Sequence, residues 1–224
     1  DLVPDASDPD TQWKAHWPQI TYSRSTVAPE LTTTNRSLRS SNCPAAAVRL
    51  QEWPLSGTAR NAAFEAYING LAAGGNTSHD NGMLWGARFV SPTGIFAEEN
   101  ESAPNGDPIS RHIIFMTDGT MEPGPSVYGT LGNYGLDGRF FGFGPWSSNT
   151  ELAAYQNPRL AAICEQAKNQ NITVWTVTFG LAQNTWTRSC ASGPQRAYEA
   201  ASSAQLASAF RLIATSIAEL RLVQ

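Results

Sequence analysis

Two unbroken apolar runs constrain this chain more than any other feature: "RHIIFMT" at 111 to 117 and "NITVWTVTFG" at 171 to 180. A strand with one wet face alternates apolar and polar residues, whereas short continuous runs belong to strands covered on both faces. Both runs are therefore expected to be buried strands. Between them, Asn157 and Pro158 suit the cap and first turn of a helix reaching about Asn169. After a short helical turn near 184 to 190, "RAYEA" reads as a third strand. "SSAQLASAFRLIATSIAELRL" reads as a closing amphipathic helix, with Leu206, Phe210, Ile213 and Ile217 on one face. Buried strands joined by helical crossovers imply a three-layer α/β fold with a largely parallel sheet.

Upstream, "AAAVRLQEW" at 45 to 53 reads as a strand. Ser56 or Thr58 is then expected to cap a helix whose apolar face is Ala63, Phe64, Tyr67, Ile68 and Leu71. A second helix is expected from about Ser78 to Val90, turning Met83, Leu84 and Ala87 inward. Residues 1 to 44 are rich in Pro, Ser, Thr and Asn and read as an irregular segment with one short strand around "QITYS". A single domain over 45 to 224 follows. It is interrupted by a long segment at 119 to 150, where glycine recurs at 119, 124, 129, 132, 135, 138, 142 and 144. A loop that long inside a compact domain is usually functional or disordered.

Composition narrows the function classes. Only 15% of residues are charged, and the fifteen Lys and Arg are scattered singly under a net charge of −4. No phosphate-tracking patch exists, which excludes nucleic acid as a partner. No apolar run is long enough to span a bilayer, and "DLVPDASDPD" has neither the basic start nor the apolar stretch of a signal peptide. Its acidic, Pro-containing start is expected of a mature, cleaved or trimmed product. Three cysteines, Cys43, Cys164 and Cys190, lack the paired short spacings of a zinc site and permit at most one internal disulfide; three reduced thiols are the alternative.

Ligands of an open parallel sheet collect at the carboxyl ends of its strands. Asp118 stands at that edge, and "GGNTSHDNG" at 74 to 82 places Thr77 just before a helix. A carboxylate and a hydroxyl are the oxygen donors that a hard cation such as Mg²⁺ takes. Asp-Gly after a strand is equally an ordinary turn. His79 and Asp80 could pass for a metal-hydrolase pair with Asp118. Adjacent helical residues, however, point about 100° apart, and local hydrogen bonding at a helix N-terminus explains them as well. No nucleophile elbow, P-loop or zincin helix is present. Tyr128, Tyr134, Phe140, Phe141, Phe143 and Trp146, interleaved with glycine in the long loop, form either a partner-binding surface or a cover for the sheet.

The set "GGNTSHDNGMLWGARFVSPTG", "RHIIFMTDG", "CEQAKNQNITVWTVTFG" and "RSCASGPQRAYEA…LASAFRLIATSIAELRL" resembles, over residues 42 to 224, the C-terminal two thirds of the von Willebrand factor A domain of bacterial Tad (Flp) pilus-assembly proteins. The resemblance implies a non-enzymatic module outside the cytoplasm, in the periplasm or at the cell surface of a bacterium, that holds a protein partner at the top face of its sheet. It also implies a metal-ion-dependent adhesion site for Mg²⁺, or for Ca²⁺ or Mn²⁺, in which Thr77 and Asp118 match two of the three elements. The remaining element, D-x-S-x-S after a first strand, has no proper counterpart: Asp5 and Ser7 fall in "DASDP", but Pro9 replaces the last Ser and no apolar strand precedes them. The first strand and helix would then come from an N-terminal piece, a second chain or pilus components, and a sheet without them exposes unpaired edges. The resemblance further implies a Cys164 to Cys190 disulfide. Two other readings are a pilus or surface-fibre subunit without a cation, acting through its strand edges, and a metal-assisted hydrolase using Asp118, His79 and Asp80.

Overall fold

The computed structural model describes residues 7–8, 21–24, 29–32, 46–48, 50–54, 61–72, 74–103, 105–124, 128–129, 132–133 and 148–221. The chain forms two compact units, one of Asp1–Asn76 with Pro123–Leu152 and one of Thr77–Glu122 with Ala153–Gln224.

In the first unit β1 (Thr21–Arg24) pairs antiparallel with β2 (Pro29–Thr32). The described residues between 46 and 54 form no strand, in contrast to the expectation for 45 to 53. Helix α1 (Ala62–Asn69) is capped by Asn61, not by Ser56 or Thr58. The Asn61 side chain accepts the amides of Ala63 and Phe64 at 3.0 and 3.1 Å, satisfying donors that the first turn leaves free. Its apolar face meets Trp53, whose ring lies 5.4 Å from Phe64 and 6.5 Å from Tyr67. No residue of α1 is buried. Within the segment expected to be one long loop, β4 (Tyr128–Gly129) and β5 (Gly132–Asn133) pair as a short antiparallel ribbon; β3 (Arg111–Thr117) lies in the second unit. Gly124 has φ +62, a left-handed conformation that favours glycine, and a Cβ there would stand 2.5 Å from the Asn76 side-chain nitrogen and force that amide to move.

The second unit is mixed α/β. Helix α2 (His79–Val90) and the short α3 (Ala97–Asn100) lead into β3 (Arg111–Thr117). Helix α4 (Asn149–Asn169), which belongs to this unit from Ala153 onward, β6 (Ile172–Phe179), helix α5 (Thr185–Cys190), β7 (Ala197–Ala200) and helix α6 (Ser203–Arg221) follow. The strands make one all-parallel sheet in the order β3-β6-β7. Helices on both faces make the arrangement compatible with a Rossmann-like α/β fold.

Strand β6 is covered on both faces, with Ile172, Val174, Trp175, Thr176, Val177 and Thr178 all buried. Its neighbour β3 is not. Ile113, Phe115 and Thr117 are buried, but Ile114 and Met116 on the alternate face are 39% and 47% exposed. The expectation of burial on both faces fails for β3 because helices cover its two faces unequally. Ile113, Phe115 and Val174 join Met83, Leu160, Cys164 and Ala167 of α2 and α4 in one core. Trp175 and Val177 of β6 pack with Ile213, Leu206 and Ile217 of α6 in a second. Phe210, assigned from periodicity to the same α6 stripe, is 38% exposed.

Helix α4 begins at Asn149, well before the expected Asn157. Ser148 is the cap: its hydroxyl accepts the Glu151 amide at 3.2 Å. Pro158 consequently lies inside the helix, where it takes one amide donor out of the ladder. Cys164 of α4 and Cys190 of α5 are fully buried and disulfide-bonded, with Cα atoms 5.0 Å apart. Cys43 lies outside the described residues. Among the described residues no helix is long and apolar enough to cross a membrane.

Candidate functional site

The carboxyl end of β3 and the N-terminal end of α2 are tied together by three contacts. Thr77, immediately before α2, forms an antiparallel bridge with Glu122: each amide donates to the other's carbonyl at 2.9 Å. The amide of His79 donates to the Met121 sulfur at 3.4 Å. The His79 ring reaches β3 itself, with Nε2 2.9 Å from the Thr117 hydroxyl. That hydroxyl gives its one proton to the Gly119 carbonyl at 3.0 Å and accepts the Gly119 amide at 3.2 Å.

The turn from Thr117 to Met121 is thus held from beneath, and it presents Asp118 to solvent. Thr77 is half-buried beside it: a Cβ placed on Gly119 would stand 3.7 Å from the Thr77 hydroxyl oxygen. The structure therefore brings the two predicted cation ligands, Thr77 and Asp118, to one edge of the sheet. As a cation site this set is incomplete. Mg²⁺ demands about six oxygens and Ca²⁺ six to eight, whereas Thr77 and Asp118 supply one hydroxyl and one carboxylate. Among the described residues no group of three or more His, Cys, Asp or Glu side chains could hold a metal ion. Asp5 lies outside the described residues.

His79 and Asp80 turn inward in different directions, as neighbouring helical residues must. The His79 ring stands edge-on to Phe115 with centroids 5.4 Å apart. Burial holds its pKa below the usual value, partly offset by a hydrogen bond to the Gly119 backbone. Asp80, fully buried, faces Arg159 of α4 across 3.4 Å. Burial raises its pKa, and the Arg159 guanidinium opposes that rise. Asp80 Oδ1 and both polar atoms of fully buried Gln156 have no hydrogen-bond partner among the described residues.

Both side chains are engaged with the frame of the site, and neither is aimed at solvent beside Asp118. Local sequence explains them as helix N-terminal residues, but their actual partners, Thr117 and Arg159, are distant in the chain. Of the expected aromatic surface, the backbone of Tyr128 belongs to β4, while its side chain, with Tyr134, Phe140, Phe141, Phe143 and Trp146, lies outside the described residues.

Compared with protein-family models, with curated proteins and with solved structures, the chain has no match in any of the three.

Proposed function

We propose that this chain is a non-enzymatic binding or scaffold module, an extracytoplasmic domain of the von Willebrand factor A type in a bacterial Tad pilus-assembly or adhesion system. It engages a protein partner at the carboxyl edge of its parallel sheet. The observation that carries this reading is the convergence of Thr77 with the Asp118 turn, on a frame that the Thr77–Glu122 bridge and the His79–Thr117 hydrogen bond hold in place. A carboxylate brought by the partner, or by the segment that carries the D-x-S-x-S element in the family, would supply what Thr77 and Asp118 lack for a shared divalent cation. The Cys164–Cys190 disulfide supports a compartment outside the cytoplasm, since disulfides persist where conditions are oxidising. The engagement of His79 and Asp80 by Thr117 and Arg159 supports a non-enzymatic role over a hydrolase.

A second reading, a pilus or surface-fibre subunit without a cation, is favoured by β3. Among the described residues it pairs on one side only, and Ile114 and Met116 remain exposed beside it. Such an edge accepts an added strand from another chain.

One pair of variants separates the two. Calorimetric titration with Mg²⁺, Mn²⁺ and Ca²⁺ in excess acetate, a stand-in for the partner's carboxylate, should show heat with the wild-type protein and none with Asp118→Ala, while Ile114→Lys behaves as wild type. Concentration-dependent self-association by light scattering that is lost in Ile114→Lys and kept in Asp118→Ala establishes the strand-addition reading instead. If the wild type shows neither cation heat nor self-association, both readings fail.

A further inference from the structure

The far end of α2, about 14 Å along the helix from His79 at 1.5 Å per residue, carries a cavity that the Thr77–Asp118 site does not use. It opens between the C-terminal halves of α2 and α4, has a volume of about 320 Å³, and lies wholly within the second unit. Small side chains make the space: Ala87 of α2 stands opposite Ala162 and Ala167 of α4. Leu84 and Ile163 add apolar wall. One end is closed by a hydrogen bond from the Ser91 hydroxyl to the Gln170 side-chain oxygen at 3.0 Å.

One charged group lies on this lining, Arg88. Its guanidinium rests 4.8 Å from the centre of the Trp85 ring, and among the described residues it has no carboxylate partner. A lone cation over apolar walls complements a ligand with a negative head and a hydrocarbon body. At about 30 Å³ for each water-sized group, the volume admits roughly ten heavy atoms, the lower end of the range for small-ligand pockets. We propose that the cavity between α2 and α4 binds a free medium-chain amphiphile, an alkyl carboxylate of about eight carbons, with its head on Arg88 and its chain against Leu84, Ala87 and Ile163.

Charge decides between a free molecule and a lipid still in a bilayer. Anionic membrane surfaces recruit proteins through clustered Lys and Arg, each contributing on its own account. This chain carries a net charge of −4, and Arg88 is alone on the lining. The ligand is therefore a dissolved one.

Octanoate, octanol and acetate titrated into the full chain test this, followed by amide chemical shifts. The expected result is saturable one-to-one binding of octanoate, with shifts confined to residues 84–91 and 162–170. Octanol should bind at least fivefold more weakly, and acetate should not bind. Arg88→Gln should lower octanoate affinity to that of octanol and leave octanol unchanged. Ala162→Phe, which places a ring in the cavity from an exposed position, should abolish both. Wild-type octanoate shifts that are absent or spread over the whole surface overturn the proposal, whether or not either variant folds. Octanoate binding that survives Ala162→Phe also overturns it, as does sedimentation with phosphatidylglycerol vesicles without binding of free octanoate.

Discussion

The two faces of the parallel sheet are built from neighbouring residues of the same strands, yet they are covered differently. On one face, α2 and α4 meet β3 and β6 together, and Ile113, Phe115, Val174, Leu160 and Cys164 form a continuous core. On the other, α6 covers Trp175 and Val177 of β6, while Ile114 and Met116 in register beside them remain exposed. Strand propensity and apolar content do not distinguish Ile113 from Ile114. What separates them is which face a helix happens to cover, so burial here belongs to the neighbouring elements more than to the strand.

The sharpest test of this contrast is a matched pair of truncations. Ile213→Ala, at a fully buried position of α6, should destabilise the protein by about 4 kcal/mol, the range for emptying a large aliphatic side chain from a core. Ile114→Ala should change denaturant-derived stability by less than about 1 kcal/mol, as surface substitutions do. Equal losses at the two positions would mean that the β3 face is covered in solution. Next in size, replacing Cys164 and Cys190 together by Ser should cost up to about 3.5 kcal/mol on the chain-entropy account of a loop with a separation of 26. That loss should fall on the α2/α4 face, seen as faster amide exchange at Leu160 and Val174 than at Val177.

The smallest effect is one of pH. His79 is held below its ordinary value of about 6.5, so below that pH the unfolded chain binds a proton that the folded chain refuses. Its contribution to stability is present above about pH 6.5 and is lost as pH falls toward the folded value. Asp80 works in the opposite sense: its raised value means stability is lost as pH rises through it. From pH 7 down to 5 the melting temperature of the wild type should fall relative to that of His79→Gln, which keeps only the opposing Asp80 contribution. An unchanged slope in that variant would place the titration elsewhere.

Much of the second unit was legible in the sequence. The parallel strands at 111–117, 172–179 and 197–200, the capping region of α2 and the turn at Asp118 all follow from local pattern. Three things were not legible, each for a physical reason. The start of α4 was misplaced because Asn157–Pro158 is a good opening signal, yet Ser148 provides an earlier cap and the helix tolerates Pro158. The exposed face of β3 could not be read from an apolar run, because the run says what a residue prefers and not what stands beside it. The His79–Thr117 and Asp80–Arg159 partnerships join residues far apart in sequence, and no local period encodes them. The bracing of the Thr77 and Asp118 segments by Glu122 and Met121 likewise has no local signal in the sequence.

The Thr77–Glu122 bridge has a kinetic side. With Thr77 and Glu122 exchanging both amide bonds and His79 fastened to Thr117, the stretch from Thr117 to Glu122 is a closed ring rather than a free loop. A loop already confined surrenders little conformational freedom when something docks on it, so association there would be limited by encounter and desolvation rather than by a search for the bound shape.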